Sequence, residues 1–326
     1  MQRVLVLGGA GLVGSHLLDR LLADGNEVIA IDDLSRGSFA NVAHLKHEPR
    51  FVFREHDVTA PFRADVDAVF HLALPATRTA CEIDPVKAAM TCVAGTMNAL
   101  EVASANRAPI VLGTATERWG AGVRCAESLA HDFAEARALD LSVVRLPSTY
   151  GPRLAPDGEH LVTSLVLQAL RGERLVPPGR IDRRVHLTYV DDAVETLIRA
   201  MGSLSGEPRV RVRVPAVVAP SSEIGVVELA QEIAAAAGLV SSPIAEPALD
   251  GPPSIPWVNG LSLAEALPAS MAFGIASLDL TEGLARTLSW FEALTGRRRT
   301  DRTSGVYTCD NRVPATAPAR DKLRAG

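Results

Sequence analysis

The first half of the chain alternates between two apolar spacings. A short apolar run over Val4–Leu7 is typical of a buried strand, and apolar residues three and four positions apart over Leu12–Ala23 are typical of a helix. Further strands are predicted at 27–31, 51–54, 68–72, 110–112 and 142–146, and further helices at 84–106 and 127–139. Because strands and helices alternate, the sequence predicts an α/β fold with a doubly wound parallel sheet of the Rossmann type.

The pattern becomes less regular after Pro152. Helical spacings remain near 160–171, 189–202, 223–237 and 281–294, separated by segments rich in proline and glycine. We therefore expect a Rossmann domain over residues 1–152, to which later segments return, and a smaller C-terminal substrate lobe formed mainly by 153–296. Residues 297–326 contain seven Arg, one Lys and three Asp. Their basic, weakly periodic composition predicts a flexible tail.

Composition narrows the class of protein. The 326 residues are 47% hydrophobic and carry a formal net charge of −5, which is typical of a globular protein and does not favour binding to nucleic acid. No apolar run reaches the length of a membrane span. Met1 leads almost directly into the first predicted strand, so we expect no signal peptide. Cys81, Cys92, Cys125 and Cys309 lack the spacing of a metal site, and we expect reduced thiols, no metal and a cytoplasmic location.

A glycine-rich turn joins the first predicted strand to the first helix. Gly8, Gly11 and Gly14 are spaced as in dinucleotide-binding turns. The first glycine permits a tight turn, the second lets a pyrophosphate approach the backbone, and the third lets the helix pack closely on the strand. The backbone N–H groups that open the helix, at Leu12 and Val13, then face the phosphates. The turn therefore predicts a dinucleotide site.

An acidic residue at the end of the second strand selects the dinucleotide. Asp32 lies eighteen residues after Gly14. A carboxylate at this point accepts hydrogen bonds from the ribose hydroxyls of NAD and repels the extra phosphate of NADP. Asp33 follows directly, and Arg36 is the one nearby residue that could accommodate a phosphate. The sequence therefore favours NAD as the cofactor.

Several stretches together resemble a known family. They are GGAGLVGSHL, AIDDLSRG, HDVTAP, AVFHLALPA, DPV followed by GTMNALE, YGPR and YVDDAVETLI. In this order, over about residues 1–295, they resemble the extended short-chain dehydrogenase/reductases that act on nucleotide sugars, above all the UDP-glucuronate decarboxylases. UDP-galactose 4-epimerases and dTDP-glucose 4,6-dehydratases are further relatives.

The resemblance implies further site residues and a partner. It places Asp57 and Val58 beside the adenine and makes Leu72, Ala73 and Leu74 line the dinucleotide groove. It also implies a nucleotide-sugar substrate and a homodimer, in which the helices at 84–106 and 127–139 pack against their mates.

The catalytic pair that the resemblance implies is missing from the sequence. The family uses a Tyr as the base, with a Lys four residues later that lowers the pKa of the Tyr and holds the nicotinamide ribose. Tyr150, Tyr189 and Tyr307 are the only tyrosines in this chain, and none is followed by Lys at that spacing.

Two alignments of the helix that should carry the pair remain open. Aligned from Arg124-Cys125, Ala126 and Ala130 take the places of Tyr and Lys. Aligned from Ala134-Glu135, the places fall to Glu127 and His131, two titratable residues one helical turn apart. The second alignment makes Glu127 and His131 candidate catalytic residues.

The remaining candidates also come from the resemblance. GTATERWG resembles the family's STSEVYG, which puts Ala115 in the place of a catalytic Thr and makes Glu117 match a Glu that acts in the decarboxylases. LPSTYGPR resembles RxFNTYGPR, which puts Ser148 in the place of an Asn that contacts the substrate phosphates and retains Arg153. Arg184 lies beside the position where a further substrate-binding Arg is expected.

Three functions are compatible with this pattern. The first is an NAD-binding enzyme that acts on a nucleotide sugar or a related natural-product intermediate with non-standard catalytic residues. The second is a catalytically inactive NAD-binding protein with a regulatory or partner role. The third is a non-redox isomerase or lyase that uses the same pocket. Fold alone does not decide among them.

Overall fold

The computed structural model describes residues 1–75, 83–116, 120–177, 183–204, 217–219, 222–239, 267–268 and 273–296. Within these ranges the chain forms one large parallel sheet with helices packed on it, and a second sheet of three strands. The predicted basic tail at 297–326 lies outside the described residues.

The strands are β1 Arg3–Leu7, β2 Glu27–Asp32, β3 Phe51–Glu55, β4 Ala68–His71, β5 Ile110–Ala115, β6 Leu141–Leu146, β7 Ser148–Tyr150, β8 Arg184–Tyr189, β9 Val217–Val218, β10 Ser222–Gly225 and β11 Leu267–Pro268. The helices are α1 Leu12–Ala23, α2 Pro85–Asn106, α3 Gly120–Arg137, α4 Leu161–Arg171, α5 Val190–Leu204, α6 Val226–Ala236 and α7 Leu280–Thr295.

The large sheet has the strand order β11-β9-β6-β5-β4-β1-β2-β3, and its paired strands are all parallel. The chain runs outward from β1 to β3 on one side and then returns to β4 on the other side of β1. The strand order therefore reverses between β1 and β4. In open α/β sheets, ligands bind at such a reversal, outside the carboxyl ends of the strands.

This architecture confirms the predicted Rossmann-type parallel sheet. The predicted strands of the first half form, with ends that differ by at most a few residues. Each face of the sheet is covered by an apolar cluster: one includes Leu5, Ile110 and Leu100 of α2, and the other includes Val6, Leu18 of α1 and Leu197 of α5.

One helix begins earlier than the sequence predicts. The apolar spacing predicted its start at residue 127, whereas α3 begins at Gly120. Gly122 allows the close approach, because a Cβ atom there would lie 3.0 Å from Cα of Ala89 and 3.2 Å from Sγ of Cys92, both on α2. Packing against α2 therefore overrides the low helix propensity of Gly120 and Gly122.

The second sheet belongs to the C-terminal lobe. Its order is β10-β8-β7, with β8 antiparallel to β10 and parallel to β7. Helices α4, α6 and α7 share one apolar cluster with it, which includes Tyr150, Leu165 and Phe291. The helix predicted near 223–237 is divided in the structure, since 222–225 form β10 and the helix starts at Val226. None of the described helices combines the length and apolarity that crossing a bilayer requires.

Candidate functional site

The glycine turn lies at the point where the strand order reverses. Gly8 follows β1 and has a φ of +81°, in the region that favours glycine. A Cβ atom at Gly8 would lie 2.8 Å from the backbone N of Ala73, which follows β4. A Cβ atom at Gly14 would overlap the carbonyl oxygen of Gly8. Only glycine therefore fits at these two positions, as the sequence predicts.

Helix α1 begins at this turn without a side-chain cap. Gly11 is its N-cap residue and has no side chain that could accept from the first turn. The first N–H groups of a helix have no acceptor within the helix. The N–H groups of Leu12 and Val13 are therefore placed to bind an anion, and the positive end of the helix dipole adds to the attraction.

Asp32 ends β2 beside the glycine turn. Its side chain is buried, with Oδ2 accepting from N of Ala10 at 2.9 Å and Oδ1 accepting from N of Leu34 at 2.9 Å. Burial is the main cause that raises the pKa of Asp32, and the two backbone donors oppose it. Each carboxylate oxygen has a second lone pair, so the fixed carboxylate can still accept from a ribose hydroxyl.

The loop after β2 is built by its own side chains. Oδ1 of Asp33 accepts from N of Ser35 at 3.0 Å and from its hydroxyl at 2.5 Å, so Asp33 shapes the loop. Arg36 reaches across to the C-terminal lobe, where Nη2 lies 2.5 Å from Oε2 of Glu159 and 3.7 Å from Oδ2 of Asp157. Arg36, the cation that the sequence places near the predicted ribose site, is thus paired with acidic residues.

The predicted adenine and groove residues follow β3 and β4. Asp57 accepts from N of Thr59 at 2.9 Å, and this hydrogen bond is the main cause that lowers the pKa of Asp57. Val58 is buried, and its carbonyl accepts from Asn98 at 2.8 Å. Leu72, Ala73 and Leu74 directly follow β4, and they are partly buried. All five residues lie at the carboxyl edge of the sheet, the edge that carries the glycine turn.

Glu127 and His131 occupy different environments on α3. Glu127 is buried, and its carboxylate accepts from Thr114 Oγ1 at 2.8 Å and from Nη2 of Arg145 at 2.9 Å. His131 is exposed. One turn of α3 therefore carries a buried carboxylate and an exposed imidazole, and a catalytic role for either residue stays a prediction.

The burial of Glu127 points to a third alignment of this helix. Ala126-Glu127 can take the place of the Ala-Glu that closes the family motif, which puts Trp119 and Val123 in the places of Tyr and Lys. Val123 is buried and packs with Cys92 and Ala126. No alignment therefore supplies a Tyr–Lys pair. The Ala126-Glu127 dipeptide is the signal in the sequence that would have indicated this third alignment.

The two tyrosines that the structure describes are poorly suited to replace the missing base. Tyr150 and Tyr189 are buried together in the core of the C-terminal lobe, with ring centroids 5.6 Å apart. Burial is the main cause that raises the pKa of both, which disfavours the phenolate that a base requires. Tyr307 and the candidate Glu117 lie outside the described residues. Glu117 stays a prediction.

The predicted substrate residues have distinct partners. Arg153, with φ of +69°, donates from Nη2 to Oδ2 of Asp19 at 2.6 Å, and its Nη1 is buried with no hydrogen-bond partner among the described residues. Arg184 donates to Glu223 at 3.0 Å, and both side chains are exposed. Ser148 lies just past β6, and its Oγ is 2.9 Å from Nε2 of His160, a residue that sequence reasoning missed.

The sequence belongs to the NAD dependent epimerase/dehydratase family. The model of that family matches residues 4–120 and 113–212. The chain is therefore an extended short-chain dehydrogenase/reductase, as the resemblance implied, and NAD is the cofactor of the family. Among the described residues, no group of three or more His, Cys, Asp or Glu could hold a metal.

Curated relatives include plant and animal decarboxylases. UDP-glucuronic acid decarboxylase 4 of Arabidopsis thaliana is 36% identical over 61% of this chain and 51% of its own length. UDP-glucuronic acid decarboxylase 6 of the same plant is 35% identical over 71% of this chain and 73% of its own length. UDP-glucuronic acid decarboxylase 1 of Xenopus tropicalis is 32% identical over 64% of this chain and 55% of its own length. The match thus spans about half the length of several of these relatives.

Solved structures share the fold. UDP-glucose 4-epimerase of Thermotoga maritima has a TM-score of 0.72 and 23% identity, covering 90% of this chain and 99% of its own. UDP-glucuronic acid 4-epimerase of Bacillus cereus, solved with UDP-glucuronic acid and NAD, has a TM-score of 0.73 and 19% identity, with 90% and 99% covered.

Proposed function

We propose that the chain binds NAD and acts on a nucleotide sugar, or a related natural-product intermediate, with acid–base residues other than the family's Tyr and Lys. The observation that carries the proposal is the cofactor cradle. Gly8 and Gly14 allow the tight turn between β1 and α1, because a Cβ at either position would collide with backbone atoms, and buried Asp32 lies beside them at the carboxyl edge of the sheet. These groups fit a dinucleotide whose adenosine ribose carries no phosphate.

The cradle assigns a task to each residue. The N–H groups of Leu12 and Val13 bind the pyrophosphate, and Asp32 accepts from the ribose hydroxyls. Asp33 holds the loop that covers the ribose through Ser35. NAD, when bound, supplies a hydride acceptor.

Two residues are suited to the substrate phosphates. Arg153 has a buried Nη1 that needs a partner, and an oxygen of a diphosphate satisfies it. Ser148 lies at the carboxyl edge, next to β6. Arg184 is exposed and bonded to Glu223, so we assign the phosphate contacts to Arg153 and Ser148 rather than to Arg184.

Glu117 is the acid or base that we propose for the reaction. In the sequence it comes two residues after the last residue of β5, and by resemblance it matches the functional Glu of the decarboxylases. Glu127 is bonded to Arg145 and His131 is exposed. Both are therefore less suited to exchange a proton with a bound sugar.

A second function is favoured by the ion pair of Glu127. If the buried carboxylate serves only to neutralise Arg145, and if Glu117 transfers no proton, exposed His131 is the one candidate acid or base that remains. The chain would then bind NAD as a regulatory or partner protein. The two proposals agree on NAD and differ on turnover.

One experiment separates the two functions. The protein is titrated with NAD by calorimetry and then incubated with NAD and UDP-glucuronate, UDP-galactose or dTDP-glucose, while NADH absorbance and sugar products are followed. We expect NAD binding and turnover well below that of family members that have the Tyr base, since losing one general base costs roughly 10²–10⁴ in rate. NAD binding with neither turnover nor sugar binding supports the regulatory function. Failure to bind NAD contradicts both.

We also propose a homodimer through α2 and α3. Ile83, Val86 and Met90 lie at and before the start of α2 with 78%, 72% and 53% of their surfaces exposed, and a partner helix would cover them. Light scattering is expected to give twice the 34.5 kDa of one chain. The variant V86K/M90K is expected to shift the mass toward the monomer, whereas K87R leaves it unchanged. A wild-type monomer at micromolar concentration contradicts the proposal.

A further inference from the structure

His160 joins the start of α4 to the strand that carries Ser148. It is the N-cap residue of α4, and its Nδ1 accepts from N of Val162 at 3.3 Å. Its Nε2 lies 2.9 Å from Oγ of Ser148. Both ring nitrogens are therefore engaged, one by a backbone group and one by a hydroxyl.

The backbone contact determines where the proton of the ring lies. An N–H group can only donate, so Nδ1 must present its lone pair to Val162, and a neutral imidazole then carries its proton on Nε2. Burial lowers the pKa of His160 to about 4, so the ring is neutral near pH 7. It follows that Nε2–H donates to Ser148 Oγ.

This direction decides what Ser148 can do. A lone serine hydroxyl can donate or accept, but here its oxygen accepts from His160, and its hydrogen is left for another acceptor. Nε2 already carries a proton and cannot remove the proton of the hydroxyl, so Ser148 is not activated as a nucleophile.

We propose that His160 is a positioning residue that fixes Ser148 as a hydrogen-bond donor to an anionic oxygen of the substrate, of the nucleoside diphosphate class. The proposal rests on the proposed function, which supplies the nucleotide sugar. Ser148 stands where an Asn amide would donate in the resembling family, and His160 gives the smaller hydroxyl the same single direction.

The test is a double-mutant cycle on UDP-glucuronate binding to the NAD-loaded protein, measured by calorimetry. Ser148→Ala removes the donor and is expected to weaken binding about tenfold, as for one hydrogen bond to a charged group. His160→Asn keeps an N-cap acceptor for Val162, because Asn is a preferred N-cap residue, but it removes the ring Nε2 that lies against Ser148. We expect a loss of about threefold, because without a fixed hydroxyl direction part of one hydrogen bond to the substrate is lost.

The cycle separates positioning from a merely structural role. His160→Asn is expected to have no further effect on binding when Ser148 is already Ala. Thermal unfolding serves as the control for the helix cap, and His160→Asn should leave it nearly unchanged. Equal losses from His160→Asn with and without Ser148 overturn the proposal.

Two further measurements test the direction of the His160–Ser148 hydrogen bond without a bound sugar. Nitrogen-15 NMR of the histidines, assigned with His160→Asn, is expected to show the Nε2–H form, and a fluorophosphonate is expected to leave Ser148 unlabelled. The Nδ1–H form or labelling of Ser148 overturns the proposal without touching the proposed function. If the NAD-loaded wild type binds none of UDP-glucuronate, UDP-galactose and dTDP-glucose, both the proposed function and this proposal are overturned.

Discussion

The carboxylate of Glu127 on α3 lies 2.9 Å from the guanidinium of Arg145 on β6, and only 8% and 11% of the two side chains are exposed. Thr114 on β5 donates to the same carboxylate at 2.8 Å. The three groups tie α3 to two adjacent strands of the sheet. A residue that looked like a replacement for a catalytic Tyr thus has partners that explain its presence structurally.

Glu127→Gln is expected to destabilise the protein strongly. The amide still accepts from Thr114 but leaves the charge of Arg145 buried and unbalanced, and breaking a buried pair in this way typically costs about 3–5 kcal/mol. Urea unfolding measures the change. His131→Gln, one turn away and exposed, is the control and should have almost no effect. Stability unchanged by Glu127→Gln would contradict a structural role.

Asp32→Ala is expected to weaken NAD binding by roughly 1.5–3 kcal/mol, the range for a hydrogen bond to a charged group. The carboxylate is already oriented by Ala10 and Leu34, so the ribose contact needs no reorganisation. Calorimetry with NAD and NADP checks the prediction, with Asp24→Asn at the exposed end of α1 as the control. Equal affinity of the wild type for the two cofactors would disprove the role of Asp32.

The double variant D157N/E159Q is expected to narrow the preference for NAD over NADP. Glu159 and Asp157 pair with Arg36 in the loop after β2, and their amides would weaken the attraction that draws the guanidinium away from a phosphate. The gain should be small, about twofold to fivefold in NADP affinity, because exposed ion pairs contribute about 0.2–1 kcal/mol. Adding Arg36→Gln should abolish the gain. A gain that persists without Arg36 would show another cause.

Glu117→Gln is expected to lower kcat by about 10²–10⁴, the contribution of one general acid or base. The amide keeps the size of the side chain and its hydrogen bonding but cannot transfer a proton. The comparison uses whichever nucleotide sugar is turned over, with Glu101→Gln, exposed on α2, as the control. An unchanged kcat would remove Glu117 from the mechanism.

The free energy of unfolding is expected to fall as pH drops below about 6.5. Burial lowers the pKa values of His71 and His160 from 6.5 to about 4, so the unfolded chain binds protons at both positions before the folded chain does. The contribution of His71 and His160 to the free energy of unfolding is fully present above pH 6.5 and is lost as the pH falls toward 4. In His160→Asn, the slope of the unfolding free energy against pH over this window should decrease by the equivalent of one bound proton. In His131→Gln, this slope should stay as in the wild type. An equal slope in the wild type and His160→Asn would contradict the prediction.

The alternating strands and helices, the glycine turn and the place of Asp32 at the end of β2 could be predicted from the sequence alone. These features depend on local spacing: apolar periodicity places each element, and the turn and the residue that ends β2 lie within one βαβ unit. The parallel sheet follows from the alternation.

The partners of the charged and polar site residues could be identified only from the tertiary structure. Arg36 and Glu159 are 123 positions apart, Glu127 and Arg145 are 18 apart, and Ser148 and His160 are 12 apart. Local sequence patterns do not predict such pairs, because each pair depends on how separate strands, helices and loops pack together. Burial likewise separates Glu127 from His131, although their spacing on a helix made them look like a pair. Strands β7, β8 and β10 form for the same reason, since each is stabilised by strands and helices from other parts of the chain.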